Sequence, residues 1–222
     1  MIIAINQPYF SAYAGYYALI RAADLFVFYD CVQFPRRGRV HRSQIHNSEA
    51  GFTDGWLTLP THKYPQNTRI EDIMMQKWPE DFPQNAMHKI LISLLSEELD
   101  LAPYQLSDTM LSDFLYAHHE AVFKRLGITT PMLRSSDLKI SDDIRSQDRL
   151  IKICEEVGAN SYINLPGGEE LYDPESFFSH EIDLNFIDTS GIARYGYLQA
   201  LALGDEQFSI FLEESRITRF KL

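Results

Sequence analysis

Met1-Ile2-Ile3-Ala4-Ile5-Asn6-Gln7-Pro8 opens the chain, and the stretch that decides the fold continues through residues 15–30, Gly-Tyr-Tyr-Ala-Leu-Ile-Arg-Ala-Ala-Asp-Leu-Phe-Val-Phe-Tyr-Asp. The apolar run 2–5 predicts a buried strand, which ends at Pro8 because proline offers no amide hydrogen to a sheet. Residues 15–23 predict a helix, and residues 25–29 predict a second buried strand. A strand, a helix and a strand in so short a stretch form a βαβ unit, which requires a parallel pair of strands.

Length and composition are typical of one compact α/β domain. The chain has 222 residues, of which 45% are hydrophobic and 13% aromatic, and these values indicate a folded protein rather than a disordered one. No apolar run approaches the ~20 residues of a membrane helix, and the N-terminus lacks the basic and apolar regions of a signal peptide. Cys31 and Cys154 form no CxxC motif, so we expect reduced thiols and a cytoplasmic location.

The rest of the chain predicts a hairpin, a helix pair and a return to alternating strands and helices. Residues 39–60 have strand-like spacing on both sides of a turn-forming segment, and residues 81–127 predict two helices. Strands are then predicted at 130–134, 161–165 and 182–187, the last as an edge strand, with a capped helix at 146–157 and a terminal helix at 207–213. The predicted fold class is α/β, a Rossmann-like three-layer domain over residues 1–222 with a mostly parallel sheet, an inserted β-hairpin and a helix pair.

Polar side chains follow the two opening strands, at the ends where open parallel sheets bind their ligands. Asn6 and Gln7 follow the first strand, and Asp30 and Gln33 follow the second. Two interpretations stay open: these groups hold a polar ligand at the rim of the sheet, or they stabilise their own turns, as Asn and Asp commonly do. Parallel strands would bring further groups to the same rim, namely Ser135, Ser136 and a glycine turn, Gly167-Gly168, which also suits an ordinary tight turn.

A cluster of arginines stands out against an acidic background. The net charge of −11 makes the chain a poor partner for nucleic acid. Four arginines nevertheless lie within seven positions, at Arg36, Arg37, Arg39 and Arg42. Guanidinium groups bind phosphates and carboxylates through paired hydrogen bonds, so the cluster favours an anion site, and a solvated charged face is the alternative. Since alternate residues of a strand share a face, we expect either Arg37 with Arg39 or Arg36 with Arg42 to point toward the site.

The seven histidines lack the spacing of metal ligands, so no metal is expected. His118 and His119 are neighbours on a predicted helix and point in different directions. His41, beside the arginines, is the one histidine considered as a general base, and a surface histidine is the alternative.

Several short motifs along the chain carry a resemblance to a known protein family. They are Asn6-Gln7-Pro8-Tyr9-Phe10, Ala23-Asp24-Leu25-Phe26-Val27-Phe28-Tyr29-Asp30-Cys31-Val32-Gln33-Phe34, Arg42-Ser43-Gln44-Ile45, Trp56-Leu57-Thr58-Leu59-Pro60, Leu133-Arg134-Ser135-Ser136-Asp137-Leu138 and Pro166-Gly167-Gly168. In this order, over about residues 2–170, they resemble the WbqC-like protein family, which occurs in bacterial loci for cell-surface polysaccharide and O-antigen synthesis. One departure is that Asn6 stands where the family usually has histidine, and asparagine cannot act as a base.

The resemblance implies a transferase that adds an acyl or aminoacyl group to the amine of a nucleotide-activated sugar. Its donor would be an acyl thioester, carried on coenzyme A or on an acyl carrier protein that would then be a partner. Asp30 or His41 would take the proton of the amine, and Arg37, Arg42 or Ser135 would stabilise the oxyanion. The substrate-binding residues would be Asn6, Gln7, Tyr9, Gln33, Arg37, Arg42, Ser135, Ser136, Gly167 and Gly168.

Two other functions stay open. A non-catalytic module that binds a nucleotide sugar or a carrier protein is favoured by the departure at Asn6. A nucleotidylyltransferase-like enzyme is suggested by the opening βαβ unit, which is similar to that of HIGH-type nucleotidylyltransferases, although the His-x-Gly-His signature is missing. That likeness concerns architecture alone.

Overall fold

The computed structural model describes residues 1–46, 52–78, 86–105, 108–190, 195–204, 208 and 217–219, with the backbone alone for 86, 87, 105 and 217–219. The described strands are β1 (Ile2–Asn6), β2 (Leu25–Phe28), β3 (Arg42–Ile45), β4 (Gly55–Thr58), β5 (Met74–Met75), β6 (Thr109–Met110), β7 (Met132–Arg134), β8 (Ser161–Asn164), β9 (Asp183–Ile187) and β10 (Ile217–Arg219). The described α-helices are α1 (Ala14–Arg21), α2 (Ala86–Glu97), α3 (Leu111–Leu126), α4 (Ser146–Val157), α5 (Pro174–Ser179) and α6 (Tyr197–Leu203).

A six-stranded sheet in the order β10-β9-β8-β1-β2-β7 forms the centre of the molecule. The pairs from β9 to β7 are parallel, and β10 alone runs antiparallel, on β9. Ile3 lies opposite Leu25 in the β1–β2 pair, which confirms the parallel βαβ unit predicted from the opening stretch. The α/β, Rossmann-like fold with a mostly parallel sheet is thereby confirmed.

Helices cover both faces of this sheet because successive strand residues point to opposite sides. Ala4 of β1 belongs to a core that includes residues of α1 and α3, such as Tyr16 and Phe114. Its neighbours Ile3 and Ile5 belong to a second core, on the other face, built with α4 and α5. The two cores give the molecule its three layers.

The order of the strands creates a switch point between β1 and β8. From β1 the chain moves outward to β2 and then to β7, after which β8 adds to the opposite side of β1 and β9 continues outward from there. Connections that leave in opposite directions open a crevice beyond the carboxyl ends of the two central strands, where sheets of this type bind ligands.

The predicted hairpin is confirmed as the antiparallel pair β3–β4, in which Arg42 lies opposite Thr58. The hairpin is fastened near the end of β1, since the Ser43 hydroxyl donates to the carbonyl oxygen of Ser11 at 3.0 Å. A Cβ atom at Gly196 would overlap both of these serines, so the close approach requires glycine there. Treating the hairpin and the helix pair as insertions in a single domain stays a prediction.

The prediction of an edge strand at 182–187 is wrong. The strand β9 pairs with β8 on one side and with β10 on the other, and four of its five residues are buried. Its covering strand comes from about thirty residues farther along the chain, so local alternation could not reveal it. The predicted terminal helix at 207–213 lies almost wholly outside the described residues.

The second helix of the predicted pair begins later than the sequence indicates. Residues 81–85 lie outside the described part of the chain, and α2 is described from Ala86. The helix predicted from Ser107 begins at Leu111 because Thr109 and Met110 pair with β5 as strand β6. Its predicted glycine cap is confirmed, since Gly127 adopts the left-handed conformation with φ of 63°. Within the described ranges, no helix combines the length and the apolar character needed to cross a membrane.

Candidate functional site

A cavity of about 670 Å³, here called the main cavity, opens at the switch point of the sheet. Asn6 and Gln7 reach it from the end of β1, and Asn164 and Leu165 reach it from the end of β8. The first turn of α4 closes another side with Ser146 and Gln147. The location is the one that strand order alone indicates for ligand binding.

The lining of the main cavity is aromatic and uncharged. Four tyrosines contribute to it, namely Tyr9, Tyr29, Tyr162 and Tyr172. Burial raises the pKa of Tyr29 and of Tyr162 above the ordinary tyrosine value, so both hydroxyls stay protonated at neutral pH. The Tyr162 hydroxyl donates its hydrogen to the carbonyl oxygen of Ile5 at 3.5 Å. Among the described lining residues there is no charged side chain. The cavity therefore suits a ligand portion that is itself neutral, such as a nucleoside or a sugar ring.

Asn164 and Tyr172 form a fixed pair in the wall of this cavity. The Nδ2 atom of Asn164 donates to the Tyr172 hydroxyl at 3.1 Å, while its Oδ1 atom accepts from the amide of Leu165 at 2.8 Å. A Cβ at Gly168 would lie 2.9 Å from Asn164 Nδ2 and 3.0 Å from a ring carbon of Tyr172. Glycine at 168 thus makes room for the pair, and the Tyr172 hydroxyl, which accepts from Asn164, keeps its own hydrogen to donate.

A second cavity of about 430 Å³, here called the arginine cavity, adjoins the main cavity. The two share Tyr9, Leu165 and Gly167 in their walls. Arg39 is half-buried in the arginine cavity, and its guanidinium donates to Gln44 Oε1 at 3.3 Å. A positively charged compartment therefore lies beside a neutral one.

Five of the predicted substrate-binding residues come together at the main cavity. They are Asn6, Gln7, Tyr9, Gly167 and Gly168. The structure thus places them where the rim of the sheet opens, and their binding role stays a prediction.

Asp30, Ser135 and Ser136 form a closed hydrogen-bonded cluster instead of lining either cavity. Asp30 is wholly buried, and its Oδ1 accepts from the Ser136 amide at 3.0 Å and from the Ser135 hydroxyl at 3.1 Å. Its Oδ2 accepts from the Ser136 hydroxyl at 3.0 Å. The carboxylate of Asp30 thus ties the end of β2 to the turn that follows β7, more than a hundred positions away, and does not stabilise its own turn. The catalytic role of Asp30 stays a prediction.

His41 and Gln33 also lie outside the two cavities. The ring of His41 is buried against Phe34, with 4.9 Å between ring centroids. Burial, helped by the charge of Arg42, lowers the pKa of His41 to about 4, so its imidazole is neutral at pH 7. Gln33 is exposed, and its side-chain amide donates to the carbonyl oxygen of Gln66 at 2.8 Å.

The arginine cluster divides differently from the alternation expected for a strand. The strand begins only at Arg42, so the segment before it does not alternate. Arg42 Nε donates to the Gly38 carbonyl oxygen at 3.0 Å, and its guanidinium lies 4.1 Å from the ring centroid of Trp56. Arg37 is exposed, and neither it nor Arg42 lines the two cavities. Arg39 is the member of the cluster that reaches the arginine cavity.

Sequence reasoning did not single out several lining residues, among them Tyr29, Tyr162, Tyr172, Asn164, Ser146 and Gln147. The sequence could have indicated one of these residues, Asn164. It ends β8 as Asn6 ends β1, and ligands bind beyond the carboxyl ends of parallel strands in both cases. The tyrosines gave no such indication, because an aromatic residue in or after a strand usually packs in the core. Within the described ranges, no cluster of His, Cys, Asp and Glu side chains is arranged to hold a metal ion.

Comparison with known proteins gives one similar protein and one protein family. The chain is 26% identical to Rv1507c, an uncharacterized protein of Mycobacterium tuberculosis (strain ATCC 25618 / H37Rv), over 235 aligned positions that cover 98% of this chain and 97% of that protein. No solved structure shows a significant match. The profile of the WbqC-like protein family matches residues 7–201, a span that contains most of the lining of both cavities. The chain therefore belongs to the WbqC-like protein family.

Proposed function

We propose that this protein is a transferase that binds a nucleotide-activated amino sugar in the main cavity and adds an acyl or aminoacyl group to the sugar's amine. The observation that carries the proposal is a large, uncharged, tyrosine-lined cavity at the switch point of a parallel sheet. Its volume of about 670 Å³ falls in the range of small-molecule sites. The membership of the WbqC-like family is consistent with this proposal and names no substrate.

The lining offers the groups that recognition of a sugar or a nucleoside requires. Side-chain amides of Asn6, Gln7 and Gln147 both donate and accept hydrogen bonds, as ring hydroxyls and base edges demand. Tyrosine rings supply flat apolar surface for the faces of a sugar or a base. The combination binds neutral polar rings without supplying a charge.

An uncharged cavity also favours the reactive form of the acceptor. Removal from water disfavours an ammonium ion, which lowers its pKa and leaves the neutral amine that can attack. The amine nitrogen forms a bond to the thioester carbonyl carbon, the carbon–sulfur bond breaks, and the proton lost by nitrogen is carried by water to the departing sulfur. Asp30 and His41 lie outside the cavity lining, so this route does not need them as bases.

The Asn164–Tyr172 pair is suited to stabilise the oxyanion of this reaction. The Tyr172 hydroxyl keeps a hydrogen to donate, and the Asn164 amide keeps a second N–H beyond the one it gives to Tyr172. Donors that are already fixed in place stabilise a developing oxyanion at little cost in reorganisation. Tyr172 and Asn164 are therefore our candidates for the catalytic donors.

A non-catalytic module for a nucleotide sugar is the second candidate. It is favoured by Asn6 at the position where the family usually has histidine, and by the described lining, in which the titratable groups are tyrosines. The two candidates predict the same binding and differ in turnover.

The test measures thermal stability with a panel of nucleotide sugars, followed by mass spectrometry after addition of acyl thioesters of coenzyme A and of a carrier protein. The transferase predicts stabilisation by at least one amino sugar nucleotide and an acylated product. Tyr172→Phe should lower product formation about a hundredfold. It should lower the melting temperature of the free protein by only about 2–4 °C, because Asn164 loses one hydrogen-bond partner. Stabilisation by a nucleotide sugar without product from any donor would refute the transferase and support the non-catalytic binding module. Absence of stabilisation by every nucleotide sugar would refute both candidate functions.

A further inference from the structure

We propose that the arginine cavity is a phosphate subsite, continuous with the main cavity, in which Arg39 binds the anionic group of a ligand whose neutral part lies among the tyrosines. The inference rests on the proposed function for the identity of the neutral part. The subsite itself follows from the geometry around Arg39 and Gly167.

Arg39 differs from the arginines that have structural ion pairs. Arg69 pairs with Glu71 and Asp142, Arg125 pairs with Glu98, and Arg134 pairs with Asp113. In the described part of the chain, Arg39 has no such carboxylate. It donates to the neutral side-chain amide oxygen of Gln44, and its guanidinium lies 5.7 Å from the ring centroid of Trp56, which is also uncharged.

A half-buried guanidinium held by a neutral group is oriented and still carries its full charge. The chain as a whole has 31 acidic and 20 basic residues, so there are more carboxylates than basic side chains for them to pair with. Partial removal of a charge from water is unfavourable unless an anion compensates it. Arg39 is thus arranged to receive that anion from a ligand, and its planar group can hold two phosphate oxygens at once.

Tyr9 stands at the junction of the two cavities and suits the same anion. It lines both of them, together with Leu165 and Gly167. Burial raises the pKa of Tyr9, and the charge of Arg39 opposes part of that rise. The hydroxyl is therefore protonated at neutral pH and able to donate to a phosphate oxygen that Arg39 also binds.

Gly167 lies in the wall that the two cavities share, and the space beside it is open. A Cβ built at this position meets no atom within 4 Å, and the backbone does not adopt the left-handed conformation that favours glycine. Neither packing nor backbone strain therefore requires glycine at 167. Gly168 differs, because atoms of Asn164 and Tyr172 lie against the position of its Cβ. A side chain at 167 would enter space that belongs to the shared wall of the two cavities.

The experiment measures calorimetric binding of four probes, uridine, UDP, inorganic pyrophosphate and coenzyme A, to wild type and to three variants. Arg39→Gln removes the proposed ligand charge, and Arg36→Gln is its matched control, since Arg36 lies over Tyr64 outside both cavities. We expect Arg39→Gln to weaken UDP binding about tenfold or more and to leave uridine unchanged, with no effect of Arg36→Gln. Gly167→Leu should weaken UDP binding more than binding of uridine or pyrophosphate.

The outcomes separate this inference from the proposed function. Binding of pyrophosphate that depends on Arg39, without binding of uridine or UDP, would support the subsite and refute the nucleotide sugar. Dependence on Arg39 for coenzyme A alone would support the subsite and assign its phosphate to the acyl donor. Equal losses of UDP binding in the two arginine variants, or an equal loss of uridine and UDP binding in Arg39→Gln, would overturn the subsite, as would absence of binding by every phosphate-bearing probe.

Discussion

At the carboxyl edge of the sheet, two pairs of strand ends have similar polar residues but differ in structure. One pair surrounds a cavity, and the other is closed by hydrogen bonds. At the ends of β1 and β8, Asn6 and Asn164 face the main cavity. At the ends of β2 and β7, the polar groups of Asp30 and Ser135 bond to each other and no space remains between them. The chain leaves β1 and β8 in opposite directions, whereas β2 and β7 succeed each other on the same side. Strand order, more than residue type, thus decides that the ends of β1 and β8 form a rim open to a cavity, here called the open rim, and the ends of β2 and β7 a closed rim.

Acid should have the largest expected effect on the free energy of unfolding, through the histidines buried in the core. Burial lowers the pKa of His41 and of His119 to about 4. Both take up protons in the unfolded chain near their ordinary pKa of about 6.5, so the stability they confer is complete above that pH and is lost as pH falls toward 4. Between pH 7.5 and 5 we expect these two histidines to cost about 4 kcal/mol in the free energy of unfolding, about 2 each. His118 adds a further loss of the same sign, because burial, helped by the neighbouring His119, lowers its pKa well below the ordinary value.

Urea unfolding across that pH range measures this loss, and His41→Phe should reduce it by about 2 kcal/mol. The phenyl ring keeps the contact with Phe34 and carries no titratable group. If stability instead holds until about pH 4 and then falls, the buried histidines do not control acid unfolding.

Removal of the carboxylate at the centre of the closed rim should have the next largest effect. Asp30→Ala deletes the acceptor of three hydrogen bonds in a fully buried position. Leaving buried donors without partners costs about 3 kcal/mol in the free energy of unfolding, measured by urea titration. Ser136→Ala, which loses one hydroxyl, should cost less. A variant of unchanged stability that no longer forms product would contradict the structural role and support Asp30 as a catalytic residue.

The two glycines after β8 provide a sharper comparison within the open rim. Gly168→Ala places a methyl group against Asn164 and Tyr172, and overpacking of this kind costs about 2 kcal/mol. Gly167→Ala meets open space and should change stability by less than about 0.5 kcal/mol. Thermal and urea unfolding measure both variants. Equal destabilisation by the two would show that the turn as a whole, and not the Asn164–Tyr172 pair, requires glycine.

Local patterns predicted five of the six strands of the sheet and most of its covering helices, because apolar runs and caps act within a few residues. They missed the short strand β10. The expectation that polar residues after parallel strands meet at one rim correctly grouped Asn6, Gln7 and Gly167, which line one cavity. The pattern could not show that Ser135 and Asp30, 105 positions apart, would satisfy each other. It could not select Arg39 among four arginines either, since that depends on where the hairpin begins. Contacts distant in sequence decide both results.

Asn6 and Gln33 were predicted as ligand-binding residues on the same ground, and the structure separates them. Asn6 lines the main cavity, whereas Gln33 is exposed and bonds to Gln66. We expect Asn6→Ala to weaken binding of the neutral ligand portion by about fivefold, the value of one hydrogen bond, and Gln33→Ala to leave it unchanged. Calorimetry with the sugar nucleotide that gives the largest thermal stabilisation measures both. A greater loss from Gln33→Ala would mean that the ligand extends toward β2, and the contrast between an open and a closed rim would then be wrong.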